Sequence, residues 1–221
     1  MKMQKLQLAI LTVALAGVAA PSFASVIFNG SFESGNFVPT APTSDNTMVL
    51  NVGAANMTGW TVVSNSLAWI GPSNPFGLSA SDGSYFLDLS GYHDNAPYAG
   101  VAQTSISTTS GDHYQLSLDL GSSITYDTGP VSILVSAGSA STTFTSTLSV
   151  LNGWETFTFD FIATSANTTL LLTGDVAGNQ NQEYIGLDNV SVVPIPEPGT
   201  FALFAGSGLL ALVGWRRFQK A

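Results

Sequence analysis

The chain contains no cysteine, and basic residues occur only at its two ends. A disulfide framework is therefore excluded. The five basic residues stand in the first five positions and the last six, whereas all 14 acidic residues lie between Gln7 and Trp215. A phosphate-binding surface needs clustered Lys or Arg, so the central region is not a nucleic-acid-binding domain. Its carboxylates must be solvated, accept hydrogen bonds from backbone N–H groups, or bind cations, and divalent cations become expected partners.

Catalytic patterns are also scarce. The chain has only two histidines, His93 and His113, and neither a G-x-S-x-G nor an H-E-x-x-H sequence. Two carboxylates can in principle form a glycosidase pair. With so many acidic residues, however, some pair reaches a suitable spacing by chance. The sequence therefore predicts a protein that is not an enzyme, with a glycoside hydrolase as the less favoured reading.

The N-terminus reads as a secretory signal, residues 1–24. Basic residues precede an apolar run over 8–20, and small residues at Ser22 and Ala24 fit signal peptidase cleavage before Ser25. The alternative is an uncleaved membrane anchor, but a run of this length is shorter than the about 17–25 residues that span a bilayer.

The C-terminus has three consecutive parts. Residues 194–199 form a proline-rich linker, residues 200–215 an apolar segment predicted to be a transmembrane helix, and residues 216–221 a basic tail. The motif Pro196-Glu197-Pro198, the apolar segment and the pair Arg216-Arg217 resemble the PEP-CTERM sorting signal of Gram-negative bacteria. The resemblance implies an inner-membrane-anchored precursor that an exosortase-type enzyme processes and delivers to the cell surface or the extracellular matrix. The alternative is a plain C-terminal anchor.

The sequence pattern over residues 25–193 predicts one all-β domain, an antiparallel jelly-roll sandwich of two sheets. Apolar and polar residues alternate in short segments separated by Gly, Asn, Asp, Ser and Pro, which is the pattern of half-buried strands. About nine to eleven strands are expected. Longer loops are expected over Phe37–Met57 and Ser90–Tyr98. The predicted strands are Trp60–Val63, Tyr85–Leu89, Val101–Ile106, Tyr114–Leu120, Val131–Val135, Thr143–Val150, Thr156–Phe161, Thr168–Thr173 and Ile185–Val193.

A series of short motifs in this domain resembles the galactose-binding-like jelly roll of several carbohydrate-binding module families. The series opens with Asn29-Gly30-Ser31-Phe32-Glu33 and closes with Gly186-Leu187-Asp188-Asn189-Val190. Gly59-Trp60, the segment Asp82–Leu89 and Gly153-Trp154 stand between them. The resemblance implies carbohydrate binding, although this fold carries many other functions.

Glu33 and Asp188 are the candidate metal ligands. Pairing of the first and last strands can bring them together, and Asn29, Ser31 and Asn189 can supply further oxygens for Ca²⁺. The resemblance implies a structural Ca²⁺ at this junction. The alternative is that both carboxylates cap turns by accepting backbone N–H groups.

Aromatic residues in predicted loops are the candidate sugar-binding residues. Trp69, Tyr92 and Tyr98 are expected to be exposed, and His93 and Asp94 stand beside Tyr92 as hydrogen-bonding groups. The alternative for residues 92–95 is an ordinary polar turn. Trp60 and Trp154 follow glycines at strand starts and are interpreted as core residues. We therefore expect an exported protein that binds exopolysaccharide, and the alternative is a structural or adhesive matrix protein without a sugar site.

Overall fold

The structure is a computed structural model, which describes residues 24–40, 43–91, 96–123, 125–126, 130–146, 153–176 and 184–196. These residues form two antiparallel β-sheets that pack face to face around a common core. The predicted all-β, two-sheet class is confirmed. The predicted signal and tail helices, like the processing residues Glu197, Pro198, Arg216 and Arg217, lie outside the described residues. Within the described part, no helix is long and apolar enough to cross a membrane.

One sheet has six strands in the order β1-β3-β4-β11-β6-β9. The last strand of the domain, β11, lies between β4 and β6, so this sheet is complete only when the final strand has been added. The strands are β1 (Thr47–Leu50), β3 (Leu67–Ile70), β4 (Phe86–Asp88), β6 (His113–Ser122), β9 (Gly153–Ile162) and β11 (Gly186–Ile195).

The other sheet has five strands in the order β2-β5-β10-β7-β8. Its members are β2 (Thr61–Val63), β5 (Gly100–Ser107), β7 (Ser132–Ala137), β8 (Ala140–Thr145) and β10 (Asn167–Asp175). Strands β8 and β9 are edges of their sheets, and their half-buried rings Phe144 and Phe157 stack between the sheets with centroids 4.9 Å apart.

The core follows from the period of two along the strands. In β6, Leu116, Leu118 and Leu120 point between the sheets and are fully buried, whereas Asp119 and Gly121 lie on the opposite, outer face. Similar alternation in β10 buries Leu170 and Leu172. The inner faces therefore supply most of the apolar burial that stabilises the fold.

Three local predictions are wrong. The segment Phe37–Met57 is not a single loop, since it contains a 3₁₀ turn at Thr43–Asp45 and strand β1. Strand β3 was not predicted because all four of its residues are buried, which removes the alternation that indicates a strand. Strand β8 begins at Ala140, upstream of the predicted Thr143–Val150, and residues 147–150 lie outside the described part.

The N-terminal segment lies along β11 after β4 has ended. The Val26 N–H donates to the Val192 carbonyl at 2.8 Å, and the Ser25 hydroxyl oxygen accepts the Val192 N–H at 3.1 Å. Further along, the Val190 N–H donates to the Gly30 carbonyl at 2.9 Å, at the point where the β11–β6 register shifts. The start of the domain is thus fixed to its last strand.

Candidate functional site: an aromatic cluster on the six-stranded sheet

The residues that were predicted to be exposed sugar-binding aromatics are not exposed. Trp69 and Tyr98 each expose 1% of their surface, so this expectation is wrong for both. Trp69 lies on β3 inside the core and packs against Phe37 and Tyr85, with ring centroids 5.1 and 5.6 Å away. Tyr98 packs over Gly174, where an added Cβ would lie 2.8 Å from the Tyr98 Cβ. Tyr92, His93 and Asp94 lie outside the described residues and stay predictions.

Another set of aromatic side chains gathers on the outer face of the six-stranded sheet. Phe76 lies 5.6 Å from Tyr126 and 6.2 Å from Tyr184, and Tyr126 stacks on Tyr184 at 6.2 Å. Phe86 meets Trp154 edge to face at 5.5 Å. We call Phe76, Phe86, Tyr126, Trp154 and Tyr184 the aromatic cluster.

The indole ring of Trp154 packs directly against two glycines. Its cross-strand partner is Gly121 on β6, whose own partner on β11 is Gly186. A Cβ added to Gly121 would lie 2.6 Å from the Trp154 atoms Cε3 and Cζ3, and one added to Gly186 would lie 3.1 Å from Cη2. The indole therefore extends across two neighbouring strands because neither carries a side chain there. Its N–H donates to the Ser79 carbonyl at 2.8 Å, which fixes the ring in place.

Part of the cluster is open to solvent. Tyr126 exposes 41% of its surface, Phe76 and Trp154 are half-buried, and Phe86 and Tyr184 lie beneath them. The interpretation of Trp60 as a core residue is correct, whereas Trp154 lies on the outer face. The sequence carried one overlooked signal for this site, namely glycines at 121 and 186 inside strands, since an internal glycine often marks close approach by another group.

The predicted metal ligands hold a loop across the same outer face. We call this loop, residues 71–85, the strap. Asp188 accepts the N–H groups of Ser81 at 2.7 Å and Asp82 at 3.0 Å through Oδ2. Glu33 accepts the N–H groups of Ser84 and Tyr85, both at 2.7 Å, through Oε1. The two carboxylates therefore hold the same end of the strap through backbone hydrogen bonds.

Asp119 completes the attachment of the strap. Its Oδ2 accepts the Ser81 hydroxyl and the Asn189 side-chain amide, the latter at 3.0 Å, and its Oδ1 accepts the Thr156 hydroxyl at 2.6 Å. Asp119 is 4% exposed, so these donors replace the water that the buried carboxylate loses.

The five candidate calcium ligands do not converge as a ligand set. The Asn29 amide oxygen accepts the Ser34 N–H at 2.8 Å, and the Ser31 hydroxyl donates to Asp82 at 2.5 Å. The Asp188 Oδ1 accepts the Asn189 N–H at 2.7 Å, so both of its oxygens are engaged. Within the described ranges, no group of three or more His, Asp or Glu side chains could hold a metal ion. The hydrogen bonds favour the capping alternative, and calcium itself stays a prediction.

We expect a chelator to leave the melting temperature of the protein unchanged, because both oxygens of Asp188 and Oε1 of Glu33 already accept backbone N–H groups. Thermal melts with excess chelator and with excess Ca²⁺ test this. If calcium instead stabilises the fold, free Ca²⁺ at about 100 times its Kd would add roughly 2.7 kcal/mol, which separates the two melts clearly.

Beneath the aromatic cluster lies a buried carboxyl that has no basic partner in the described part of the chain. Asp88 accepts the N–H of Ser90, the hydroxyl of Ser90 and the N–H of Ile185 through Oδ1, at 3.0, 2.7 and 3.0 Å. Burial nevertheless raises the pKa of Asp88 to about 7. Burial, together with the nearby Asp88, also raises the pKa of Tyr184, and the Tyr184 hydroxyl has no hydrogen-bond partner among the described residues. Burial raises the pKa of Asp188 to about 7 as well.

Comparison with known proteins divides the chain near residue 193, as the sequence analysis did. Residues 25–192 match the family described as DUF642, protein of unknown function. The chain belongs to the DUF642 family. Residues 194–217 of this DUF642 protein match the PEP-CTERM protein-sorting motif, which marks an exported protein of Gram-negative bacteria. No curated protein matches the chain.

Solved structures similar to the DUF642 domain include modules of carbohydrate-active proteins. An arabinose-bound GH51 α-L-arabinofuranosidase has 17% identity and a TM-score of 0.51, with 78% of this chain and 26% of that chain covered. TmCBM61 in complex with β-1,4-galactotriose has 13% identity and a TM-score of 0.46, covering 77% and 99%. A CBM4 structure has 17% identity and a TM-score of 0.42, covering 76% and 99%. The similarity to the first of these supports the jelly-roll fold.

Proposed function

We propose that this exported DUF642 protein is a non-catalytic carbohydrate-binding protein whose binding site is the aromatic cluster. The observation that carries the proposal is the half-buried Trp154, held against Gly121 and Gly186 in the same cluster as the exposed Tyr126, to which it is connected through Phe86 and Tyr184. Aromatic side chains that can stack on a sugar are gathered at one place, and a matrix protein without a sugar site has no need of such an arrangement.

The chemistry of the cluster suits a sugar ring. The apolar C–H face of a pyranose packs on an indole or phenol ring, and the polar edges of the sugar need hydrogen-bonding groups nearby. The Tyr126 hydroxyl and the polar groups of the strap can supply these. Because the glycines fix Trp154 before any ligand arrives, little conformational freedom is lost on binding.

The charge distribution limits the classes of polysaccharide that the domain can bind. No Lys or Arg stands between Gln7 and Trp215, so ion pairs with uronic acids or sulfated sugars are not available. We propose that the ligand is a polysaccharide without dense negative charge, recognised by stacking and hydrogen bonds.

Two buried carboxylates of this face, among the residues that the structure describes, are held by hydrogen bonds and are not free for catalysis. The carboxylates Asp119 and Asp188 are buried and occupied by the strap, which leaves neither of them in position to attack or protonate a glycosidic bond. His113 lies at the opposite end of β6 from Gly121, and His93 is outside the described residues. The non-catalytic assignment is therefore part of the proposal.

We expect Trp154→Ala and Tyr126→Ala each to weaken glycan binding by at least about tenfold, equivalent to about 1.4 kcal/mol. A glycan array with the purified domain identifies a ligand, and calorimetry with that ligand gives the affinities of the variants. Phe28→Ala is the matched control, because Phe28 is 57% exposed but lies beside Gln103 at the five-stranded sheet.

Unchanged affinity in both cluster variants would show that the sugar binds elsewhere. Failure of the wild-type domain to bind any glycan would favour the alternative, a structural or adhesive matrix protein. One observation supports that alternative: the edge strand β8 contains no charged residue and no Pro. Such residues commonly prevent edge-to-edge association. Sedimentation of concentrated protein, with and without glycan, separates the two functions.

A further inference from the structure

The N-terminus of the domain and its C-terminal sorting tail, the two segments on which export enzymes are expected to act, lie at the same end of the sandwich. Strand β11 remains paired to its last residues, Pro194 with Tyr114 and Ile195 with His113. The tripeptide Pro196-Glu197-Pro198 of the sorting motif begins at the next residue. The predicted N-terminus of the processed chain, Ser25, is hydrogen bonded to Val192, three residues before the end of the same strand. We call this the tether end of the sandwich.

The aromatic cluster lies at the other end of the same strands. Trp154 and Gly186 stand at the starts of β9 and β11, and Gly121 stands near the end of β6. At about 3.3 Å per residue, the nine residue steps from Gly186 to Ile195 span roughly 30 Å. The cluster is therefore about the length of the domain away from the sorting motif.

The tail leaves little room for the domain to rotate. Only residues 196–199 separate the last paired residue from the apolar segment that begins at Thr200. At about 3.1 Å per residue for an extended proline-rich segment, four residues reach at most roughly 12 Å. That reach is shorter than the domain itself, so insertion of the apolar segment into a membrane, as the sequence predicts, keeps the tether end next to that membrane.

The tether end also carries little charge. It is formed by the loops 108–112 and 163–166, which are joined by the hydrogen bonds Thr108 N–H to Ala166 carbonyl (3.0 Å) and Gly111 N–H to Ala163 carbonyl (2.8 Å). Asp112 is the single carboxylate in these two loops, and Ile162 beside them is 52% exposed. A surface of this kind approaches anionic lipid more easily than the rest of the acidic domain, which an anionic membrane repels.

We propose that the tether end is a membrane-facing surface whose partner is the lipid bilayer that holds the tail. The tethered precursor then stands upright on the membrane and presents the aromatic cluster outward. The orientation does not depend on what the cluster binds, whereas its use to capture polysaccharide before the tail is removed rests on the proposed function.

The absence of cysteine makes the orientation directly measurable. Single variants Ser110→Cys at the tether end and Thr125→Cys near the cluster replace exposed side chains and accept one fluorescent dye each. The full chain is produced without the processing enzyme and inserted into vesicles that contain phosphatidylglycerol and a headgroup nitroxide lipid. We expect the dye at position 110 to lose most of its fluorescence and the dye at position 125 to lose almost none.

A spacer variant serves as the matched control. A Gly-Ser insertion of about 20 residues between Ile195 and Pro196 gives a root-mean-square reach of roughly 25 Å and releases the domain. The two dyes should then be quenched much more equally. Equal quenching in the chain without the spacer would overturn the proposal, as would a pattern that the spacer leaves unchanged.

A second arm separates this proposal from the proposed function. Vesicles carrying the full chain are mixed with beads coated with the polysaccharide found on the array, and Trp154→Ala vesicles provide the comparison. Capture that Trp154→Ala abolishes supports outward presentation. Oriented vesicles that capture nothing would contradict the carbohydrate function and leave the membrane-facing surface intact, because the quenching contains no glycan.

Discussion

Asp88→Asn is expected to make the domain more stable at pH 8 and to reduce the dependence of its stability on pH, of which Asp188, whose pKa is also about 7, retains a part. The folded-state pKa of Asp88, about 7, lies above its ordinary value of 3.8 because the carboxyl is buried. A raised pKa means that the folded state holds the proton more tightly, so this stabilisation is complete below about pH 4 and is lost as the pH rises to about 7. The shift corresponds to at most about 4 kcal/mol.

Asparagine mimics the protonated carboxyl at every pH. Its amide oxygen can still accept the Ser90 and Ile185 donors that Oδ1 accepts in the wild-type protein. Denaturant unfolding at a series of pH values from 4 to 8 measures the effect, and the exposed carboxyl of Asp112 supplies the control Asp112→Asn. A variant whose stability falls between pH 5 and pH 8 as steeply as that of the wild-type protein would show that Asp88 is not the group responsible.

The sandwich was predictable because its longer strands alternate. Strands β6, β9 and β10 have inner and outer faces of different polarity, and the period of two is visible in their residues. Strand β3 lacks this signal, since the core covers one face and the strap covers the other. The error over Trp69 has the same cause, because a short strand hidden on both sides cannot be distinguished from a loop by its pattern.

The sequence predicted that Glu33 and Asp188 lie close together, but not which backbone groups they bind. Pairing of the N-terminal segment with β11 indicated that Glu33 and Asp188 would lie in the same region. What the sequence did not show is that the strap, more than a hundred residues before Asp188, would supply the backbone donors for both carboxylates. A loop without regular structure leaves no pattern that locates its N–H groups.

The aromatic cluster depends on register, which composition does not reveal. Its members come from the strap, from β4 and β9, and from the segments near Tyr126 and Tyr184. They meet because β9, β6 and β11 align Trp154 with Gly121 and Gly186. A shift of one residue in either pairing would put a side chain where the indole lies. The site is therefore a product of the sheet, although most of its rings lie outside the strands.

Gly30→Ala is expected to destabilise the domain by about 3 kcal/mol, at the upper end of the usual range for an added methyl group in a filled space. A Cβ at this position would lie 1.8 Å from the carbonyl oxygen of Val190 and 2.9 Å from its carbonyl carbon. Both atoms belong to the backbone of the central strand β11, so no side chain can move aside. The N-terminal segment would have to separate from β11, with loss of the hydrogen bond from Val190 to Gly30.

Gly111→Ala is the matched control for this prediction. Gly111 has a φ of +94° and no atom near its added Cβ, so the variant measures backbone strain without a clash. Left-handed strain costs roughly 1–2 kcal/mol, less than the collision expected at Gly30. Denaturant unfolding of the two variants and the wild-type domain gives the comparison. If Gly30→Ala proves as stable as the wild-type domain, the N-terminal segment does not pack against β11 in solution, and the placement of Ser25 at the tether end is wrong.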